Sequence, residues 1–260
     1  MKDQVEQVAR WIVHSRRTVI FTGAGLSTES GIPDFRSPGG VWERYDPGDF
    51  DFQNFLARES SRERYWQMAS EIYRNMKAAR PNPAHLAIAE LERMGRLDCV
   101  ITQNIDGLHL RAGNSKGFVI ELHGTAMSVS CLSCGEKADR DEVERRLKRG
   151  EKVPRCDRCG GLLKPDTVSF GQAMPERETD EAYRRSAGCD LFVVIGSSLV
   201  VQPAAAMPVV GKQNGARLVI VNRDRTSCGD MADLVLRGQA GEIMPAVVRR
   251  VRAGLGLDKE

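Results

Sequence analysis

A glycine-rich loop after the first apolar segment is the first place in the chain where chemistry could occur. Residues 18–22 (TVIFT) are apolar and β-branched, which predicts a buried strand. Gly23 and Gly25 follow, and glycine lets a backbone turn tightly and approach a pyrophosphate without a Cβ in the way. The amides of the next turn can donate to that anion. The loop predicts a dinucleotide site, although Thr28 stands where the GxGxxG fingerprint has its third glycine.

Two close cysteine pairs predict a metal site. Cys131 and Cys134 form one Cys-x-x-Cys pair and Cys156 and Cys159 form the other, with 21 residues between them. Each pair aims two thiolates at one point, and structural zinc requires four such ligands in a closed tetrahedron. A redox dithiol needs a single pair, and an iron–sulfur cluster is less usual for this spacing. The odd total of seven cysteines also fits metal binding in a reducing cytosol better than a disulfide framework.

Polar residues follow several other apolar segments. Residues 98–102, 119–122, 191–195 and 217–221 are predicted to be buried strands. Open α/β sheets bind ligands at the carboxyl ends of their strands. A lone Asn or Ser at a strand end is more often structural, but five such strand ends together favour one shared binding crevice. The small or polar residues that follow the strands are Gln103, Asn104, Asp106, His123, Gly196, Ser197, Ser198 and Asn222.

The four histidines offer a general base, because an imidazole titrates near neutrality and can deprotonate a ribose hydroxyl. His14 ends a surface helix and is expected to be solvated. His85 lies in the first turn of its helix and is expected to pack or cap. His109 follows a polar run and is expected to support the site. His123, at a strand end, is the remaining candidate for a base.

The order of the segments predicts an α/β fold. Strands that alternate with helices imply a doubly wound, mostly parallel, Rossmann-like sheet, which we assign to residues 1–36, 81–126 and 166–260. Residues 37–80 are polar and aromatic without strand alternation, which predicts a helical insertion. Residues 127–165 carry the cysteine pairs and are predicted to form a small zinc-ribbon module.

Composition excludes some classes of partner. The net charge of +3, with 28% charged residues, gives no general electrostatic basis for binding nucleic acid or a membrane. Residues 140–164 hold nine Lys or Arg against five Asp or Glu, which we interpret as a solvated face rather than a site for an acidic partner. The first residues carry no apolar signal core, and no apolar stretch approaches the length of a membrane span. We therefore expect a cytoplasmic protein that binds neither membrane nor nucleic acid.

Five motifs together resemble the sirtuins, the family of NAD-dependent protein lysine deacylases. They are residues 23–36 (GAGLSTESGIPDFR), 102–109 (TQNIDGLH), 121–124 (ELHG), the two cysteine pairs, and Gly196-Ser197-Ser198. They occur in the family's order and the resemblance runs from about Val5 to about Gly241. It implies an NAD-dependent deacetylase with structural zinc, which acts on acetylated lysines of proteins and yields nicotinamide, 2′-O-acetyl-ADP-ribose and free lysine.

The resemblance also implies residue roles. His123 is then the catalytic base, and Asn104, the second catalytic residue, positions the ribose together with Gln103. Phe35 screens the C1′ face of the ribose. Ile105 and Asp106 are implied to hold the carboxamide of the cofactor, and Asp34 and Arg36 to order the mobile loop after Gly31. The full set of cofactor-binding residues implied by the resemblance is Gly23, Ala24, Gly25, Thr28, Asp34, Phe35, Arg36, Gln103, Asn104, Ile105, Asp106, His123, Gly196, Ser197, Ser198, Asn222, Arg223, Asp224 and Ala240.

Some positions depart from the family's habit and bear on the substrate. Gln172 replaces a usual carboxylate and Ser169 a position that is often apolar, which leaves peptide preference open. Sirtuins that prefer succinyl or malonyl lysine share a Tyr-x-x-Arg pair, but here Tyr65 is followed by Met68 at that spacing. We predict deacetylation as the main activity, with tolerance for longer uncharged acyl chains. Trp66, Met68 and Ile72 are expected either to line an apolar channel or to pack.

Three other functions remain open at this point. A hydride-transfer enzyme would share the glycine loop, but it has no use for the zinc ribbon. A mono-ADP-ribosyltransferase could use the same cleavage of NAD with a protein nucleophile. A zinc-ribbon module that binds nucleic acid or chromatin would show salt-dependent affinity for DNA and no turnover of NAD.

Overall fold

The fold is built on a parallel sheet and a smaller antiparallel one. The computed structural model describes residues 1–35 and 37–257. The strands of this part of the chain are β1 (Thr18–Thr22), β2 (Cys99–Thr102), β3 (Val119–Glu121), β4 (Gly124–Cys131), β5 (Lys137–Ala138), β6 (Leu163–Thr167), β7 (Leu191–Ile195), β8 (Arg217–Asn222) and β9 (Leu234–Arg237).

The larger sheet has the order β3-β2-β1-β7-β8-β9, and all its neighbouring strands are parallel. Val19 of β1 pairs with Cys99 on one side and with Phe192 on the other. The sheet grows in opposite directions from β1 and β7, and open α/β sheets bind ligands at such a switch point. The predicted doubly wound sheet is confirmed. Its edge strand β9 was not predicted from the sequence.

Helices cover both faces of this sheet. Ile20, Val100 and Val193 point to one face and pack in a core with helices from the two ends of the chain. Phe21 and Phe192 point to the other face, because side chains alternate along a strand. None of the described helices is long and apolar enough to cross a membrane. The α-helices are α1 (Lys2–His14), α2 (Phe52–Ala57), α3 (Glu59–Ala78), α4 (Pro83–Arg93), α5 (Leu108–Ala112), α6 (Arg140–Lys148), α7 (Glu176–Gly188), α8 (Met207–Gln213) and α9 (Ala240–Gly254).

Helix α4 begins with a capping box. The Asn82 side chain accepts hydrogen bonds from the backbone N–H groups of Ala84 and His85, and Pro83 occupies the first turn. His85 closes the capping box by accepting from the backbone N–H of Asn82. The expectation that His85 packs or caps is confirmed. The N-cap residue of α1 is Met1, and Asp3 lies in the first turn of that helix.

The predicted insertion, residues 37–80, and the cysteine-bearing module, residues 127–165, pack against one another. Helices α2 and α3 fall within the predicted insertion, and β5-β4-β6 form an antiparallel sheet beside α6. The predicted limits of the cysteine-bearing module, 127 and 165, fall inside β4 and β6. Both strands therefore continue from the module toward the main sheet.

Candidate active site

Three glycines bring the loop after β1 against the loop after β7. The N–H of Gly25 donates to the carbonyl oxygen of Gly196 over 2.8 Å. A Cβ on Gly23 or Gly25 would lie 2.8 Å from that same oxygen, which is closer than real Cβ contacts. Gly196 has φ of +64°, a left-handed conformation, and a Cβ there would meet the backbone of Leu26. The glycines are therefore needed for the loops after β1 and β7 to pack closely and form one continuous surface, the floor of the site.

A cleft of about 710 Å³ lies over this floor, at the carboxyl ends of the strands. Every cofactor-binding residue predicted from the sequence borders it, except Arg36, which lies outside the described residues. The cleft also borders β6, the segment after it, and helix α3. The sequence placed the polar strand ends in one crevice, and the structure brings them together there.

Asn104 and Asp106 are fixed by the loop after β1. Asn104 Nδ2 donates to the carbonyl oxygen of Gly23 over 3.1 Å and contacts Ser27 Oγ at 3.2 Å. The Ser27 hydroxyl donates to Asp106 Oδ2 over 2.7 Å, and the N–H of Leu108 donates to Asp106 Oδ1 over 2.9 Å. These bonds connect the two loops beneath the cleft and leave little freedom to either side chain.

His123 follows β3 and is held at one nitrogen. Its Nδ1 lies 3.1 Å from the carbonyl oxygen of Gln103, so this nitrogen carries the proton and donates. In a neutral ring the other nitrogen, Nε2, then carries a lone pair and can accept a hydrogen bond or a proton. Burial lowers the pKa of His123, and the bond to Gln103 opposes the shift. The ring is neutral at pH 7 and can accept a proton in the cleft.

Two carboxyl groups near His123 have raised pKa values. Burial raises the pKa of Asp106, although its bonds from Leu108 and Ser27 oppose the change. Burial together with the charge of Asp106 raises the pKa of Glu121 to about 7. Asp106 borders the cleft and Glu121 does not, and a carboxyl group with a perturbed pKa in a cleft is common at functional sites.

At the other end of the cleft, polar groups come from β7, β8 and α9. Gln103 Nε2 donates to Ser197 Oγ over 2.7 Å, which connects the ends of β2 and β7. The Asn222 amide donates to the carbonyl oxygen of Asp224 over 3.0 Å and so shapes the turn after β8. Glu29 accepts from the N–H of Gly241 at the start of α9. This end offers hydroxyl, amide and carboxylate groups suited to a ribose.

Aromatic rings close one side of the cleft. Phe35 lies 5.3 Å from Trp42, and Trp42 lies 5.9 Å from Phe170, between ring centroids. The Asp34 side chain accepts from the backbone N–H of Ser37 over 2.7 Å, so it shapes the turn that carries Phe35. The insertion therefore contributes an apolar wall.

Helix α3 presents two different faces. Tyr65, Met68 and Ile72 border the cleft, and the Tyr65 hydroxyl lies 3.0 Å from Thr167 Oγ1. Trp66 is fully buried and packs instead with Val129 and the other core residues of the cysteine module. The expectation of an apolar channel wall holds for Met68 and Ile72, whereas Trp66 has the packing role.

The four predicted metal ligands come together away from the cleft. All four sulfur atoms lie within 4.8 Å of one another, with Cys131 and Cys159 at 3.5 Å and Cys134 and Cys156 at 3.8 Å. Sulfurs about 2.3 Å from a tetrahedral zinc ion are about 3.8 Å apart, so the cluster has the size that zinc requires. The other cysteines, Cys99, Cys189 and Cys228, are buried and free.

Comparison with known proteins identifies the family. The model of the Sir2 family matches residues 23–203, which is well over half of the chain. The chain belongs to the Sir2 family. Among Sir2 relatives, NAD-dependent protein deacetylase 1 of Bradyrhizobium diazoefficiens is 46% identical over 244 residues, covering 94% of this chain and 95% of that protein. NAD-dependent protein deacylase 2 of Archaeoglobus fulgidus is 43% identical over 253 residues, covering 97% and 98%.

Solved Sir2 structures share the whole fold. A Sir2 homologue in complex with NAD matches with a TM-score of 0.87 at 43% identity, over 96% of this chain and 94% of that one. A Sir2 protein with a deacetylated p53 peptide and 3′-O-acetyl-ADP-ribose matches with a TM-score of 0.88 at 40% identity, over 97% and 99%. The two matches cover nearly the whole chain and so extend over the segment that carries the four cysteines.

Sequence reasoning missed several residues that build this Sir2 site. Ser27 was passed over inside the glycine loop, although it connects Asn104 and Asp106. The strand pattern gives Thr22 and Thr102 no role beyond strand pairing, yet the buried Thr22 hydroxyl donates a hydrogen bond to that of Thr102. A signal was available, because a polar residue that ends a strand predicted to be buried must find a hydrogen-bond partner.

Proposed function

We propose that this chain is an NAD-dependent protein lysine deacetylase. The observation that carries the proposal is the joining, in one cleft of a Sir2 fold, of the glycine loop, Asn104 and a neutral His123. Relatives such as those of Bradyrhizobium diazoefficiens and Rhodopseudomonas palustris are named NAD-dependent protein deacetylases. Acetylated lysines of proteins are the substrates.

The residues of the cleft fit NAD. Gly23 and Gly25 border the cleft without a side chain, so the backbone of the loop after β1 can approach a pyrophosphate there. Gln103, Ser197 and Asn222 offer groups for ribose hydroxyls further along. When bound, NAD supplies a ribose carbon that accepts the acetyl oxygen of lysine as nicotinamide leaves, so the amide is activated without direct attack by water.

His123 is proposed as the general base. With Nδ1–H committed to the Gln103 carbonyl, Nε2 can accept a proton from a ribose hydroxyl. Its lowered pKa keeps the ring neutral, which the role requires. Asn104 presents its side-chain oxygen to the ribose, because both hydrogens of its amide are bonded within the protein.

The remaining roles concern orientation and exclusion of water. Asp106, held by Ser27 and Leu108, is placed to bind the carboxamide of the cofactor. Phe35, backed by Trp42, is placed to keep water from the reacting carbon. The cysteine cluster lies outside the cleft and is assigned a structural zinc ion. Free cysteines throughout the described chain support a reducing compartment, for which we propose the cytoplasm.

Incubation with NAD and an acetylated peptide tests the function. We expect nicotinamide, deacetylated peptide and acetylated ADP-ribose to form in equal amounts, as measured by mass spectrometry. Radiolabel from NAD that stays on protein would instead indicate ADP-ribosyl transfer. Reduced cofactor would indicate hydride transfer, and either outcome without deacetylated peptide would overturn the proposal.

A further inference from the structure

A buried chain of hydrogen bonds lies behind Asn104. Thr22 and Thr102 are the last residues of β1 and β2, pair in register, and are at most 2% exposed. Thr22 Oγ1 donates to Thr102 Oγ1 over 2.8 Å. Thr102 Oγ1 also accepts from the backbone N–H of Asn104 over 3.0 Å. One end of this hydrogen-bond chain is therefore the backbone N–H of Asn104, a proposed catalytic residue.

His109, in helix α5, forms the other end of this chain. Its Nε2 lies 3.0 Å from Thr22 Oγ1. Because the Thr22 hydroxyl spends its single hydrogen on Thr102, it can only accept from His109, which must carry its proton on Nε2. Burial, together with the neighbouring His85 ring at 5.1 Å, lowers the pKa of His109 to about 3. The chain is therefore uncharged at neutral pH.

The hydrogen-bond chain matters because it holds the backbone of Asn104, whereas the loop after β1 holds the Asn104 side chain. Its amide hydrogens bond to Gly23 and Ser27, on the loop after β1, whereas its backbone N–H bonds to Thr102. The direction of the free side-chain oxygen depends on both anchors together. A misplacement of about 1 Å can cost about a hundredfold in rate.

We propose that His109 and Thr22 are positioning residues for the deacetylation. Through Thr102 they hold the backbone N–H of Asn104 and so fix the direction in which its side-chain oxygen faces the ribose. The inference rests on the proposed function. It assigns catalytic consequences to two residues that do not border the cleft.

Four single variants separate positioning from packing. Thr22→Val keeps the shape of the side chain and removes the hydroxyl. His109→Leu removes the donor, whereas His109→Gln keeps an uncharged N–H near the position of Nε2. Thr18→Val is the matched control, because Thr18 is 2% exposed and lies at the opposite end of the same strand.

We expect Thr22→Val and His109→Leu each to lower kcat about tenfold, with the KM for the acetylated peptide unchanged. His109→Gln should recover most of the loss, and Thr18→Val should keep the kcat of the unmodified protein. The double variant Thr22→Val/His109→Leu should be no slower than the slower single variant, because both act along one chain. Nitrogen-15 NMR should show a neutral His109 ring with its proton on Nε2.

Rates are referred to the folded fraction, measured by circular dichroism and zinc content. Unchanged kcat in Thr22→Val, a loss equal to that of Thr18→Val, or losses that multiply in the double variant would each overturn the inference. A His109 ring with its proton on Nδ1 would do so as well, independently of activity. If the unmodified protein fails to deacetylate the peptide, the proposed function fails instead.

Discussion

Burial lowers the pKa of three histidines, His85, His109 and His123, but their side chains have different roles. Burial lowers the pKa of His85 to about 4 and that of His109 to about 3, and both rings are enclosed among helices and strand ends. His123 borders the cleft, and its pKa is lowered by burial while its bond to Gln103 holds the ring in place. Only His123 combines a neutral ring with access to a ligand, which is what a general base needs.

Replacement of the base gives a direct test. We expect His123→Ala to fold and to bind NAD, because the side chain contributes one hydrogen bond to the backbone of Gln103 and none to the glycine loop. Deacetylation should fall by about 10² to 10⁴, the usual cost of losing a positioned base. Turnover and NAD affinity measured on the same preparation check this. Near-normal turnover by a folded variant would exclude the assignment.

The pH profile of kcat/KM gives a second test of the same residue. A base must be unprotonated to act, so activity should rise with pH through the pKa of His123 and then level off. Because burial puts this pKa below the ordinary 6.5, the plateau should be reached by about pH 7.5. An acidic limb centred above pH 6.5 would contradict the lowered pKa.

The range of acyl groups is also decided by single side chains. Met68 and Ile72 border the cleft beside Tyr65, whose hydroxyl is 3.0 Å from Thr167 Oγ1. No arginine follows Tyr65 at the spacing that would pair with an acyl carboxylate, and a buried carboxylate without such a partner is costly. We expect kcat/KM in the order acetyl, then butyryl, then succinyl on one peptide. A succinyl value equal to the acetyl value would refute this interpretation.

At the scale of elements, helix α3 connects the cysteine module to the cleft. One face carries Tyr65, Met68 and Ile72, and the other meets helix α6 of the module. The Arg140 guanidinium lies 4.2 Å from the Tyr73 ring centroid and 5.6 Å from that of Trp66. It also pairs with Glu144 over 3.1 Å, and both side chains are buried.

Disruption of this buried pair should destabilise the protein. Arg140→Met leaves the buried Glu144 carboxylate with only the Ser70 hydroxyl and the exposed Arg74 guanidinium, 3.9 Å away, as partners. Removal of one member of a buried ion pair typically costs about 3–5 kcal/mol. Arg140→Met/Glu144→Met should restore part of that loss. The control Arg145→Met breaks an exposed pair with Glu142 and should cost much less than Arg140→Met, because water screens an exposed ion pair. Denaturant unfolding measures all three, and equal losses for Arg140→Met and Arg145→Met would disprove the role of the buried pair.

The sequence predicted those elements whose pattern is local. The β-branched run at residues 18–22 and the spacing of the cysteine pairs are both patterns of residues that are close together in the sequence. The edge strand β9 was missed because its run is only four residues long and only Leu236 in it is fully buried. The two faces of α3 and the His109 chain could not be predicted, because they arise from contacts between segments distant in sequence.

At the scale of the whole molecule, the cleft is a joint product of three parts. The main sheet supplies the floor and the polar strand ends, the insertion supplies the aromatic wall, and β6 leads from the cysteine module into residues that border the cleft. The main sheet has an extended apolar core on each of its faces. The module has a small one, of which Cys131 and Cys156 are themselves members.

Removal of the metal should therefore affect the module first and the cleft through it. One zinc ion per chain is expected in the purified protein, and its binding free energy supplies stability that the small core cannot. Chelation, or Cys131→Ala, should release zinc, destabilise the module and abolish most deacetylation, because β6 continues from the module to Thr167 at the edge of the cleft. Cys228→Ala is the control, since Cys228 is buried outside the cluster and should keep both zinc and activity. Metal content by mass spectrometry and activity are measured on the same sample, and full activity after complete metal removal would show that zinc does not support the cleft.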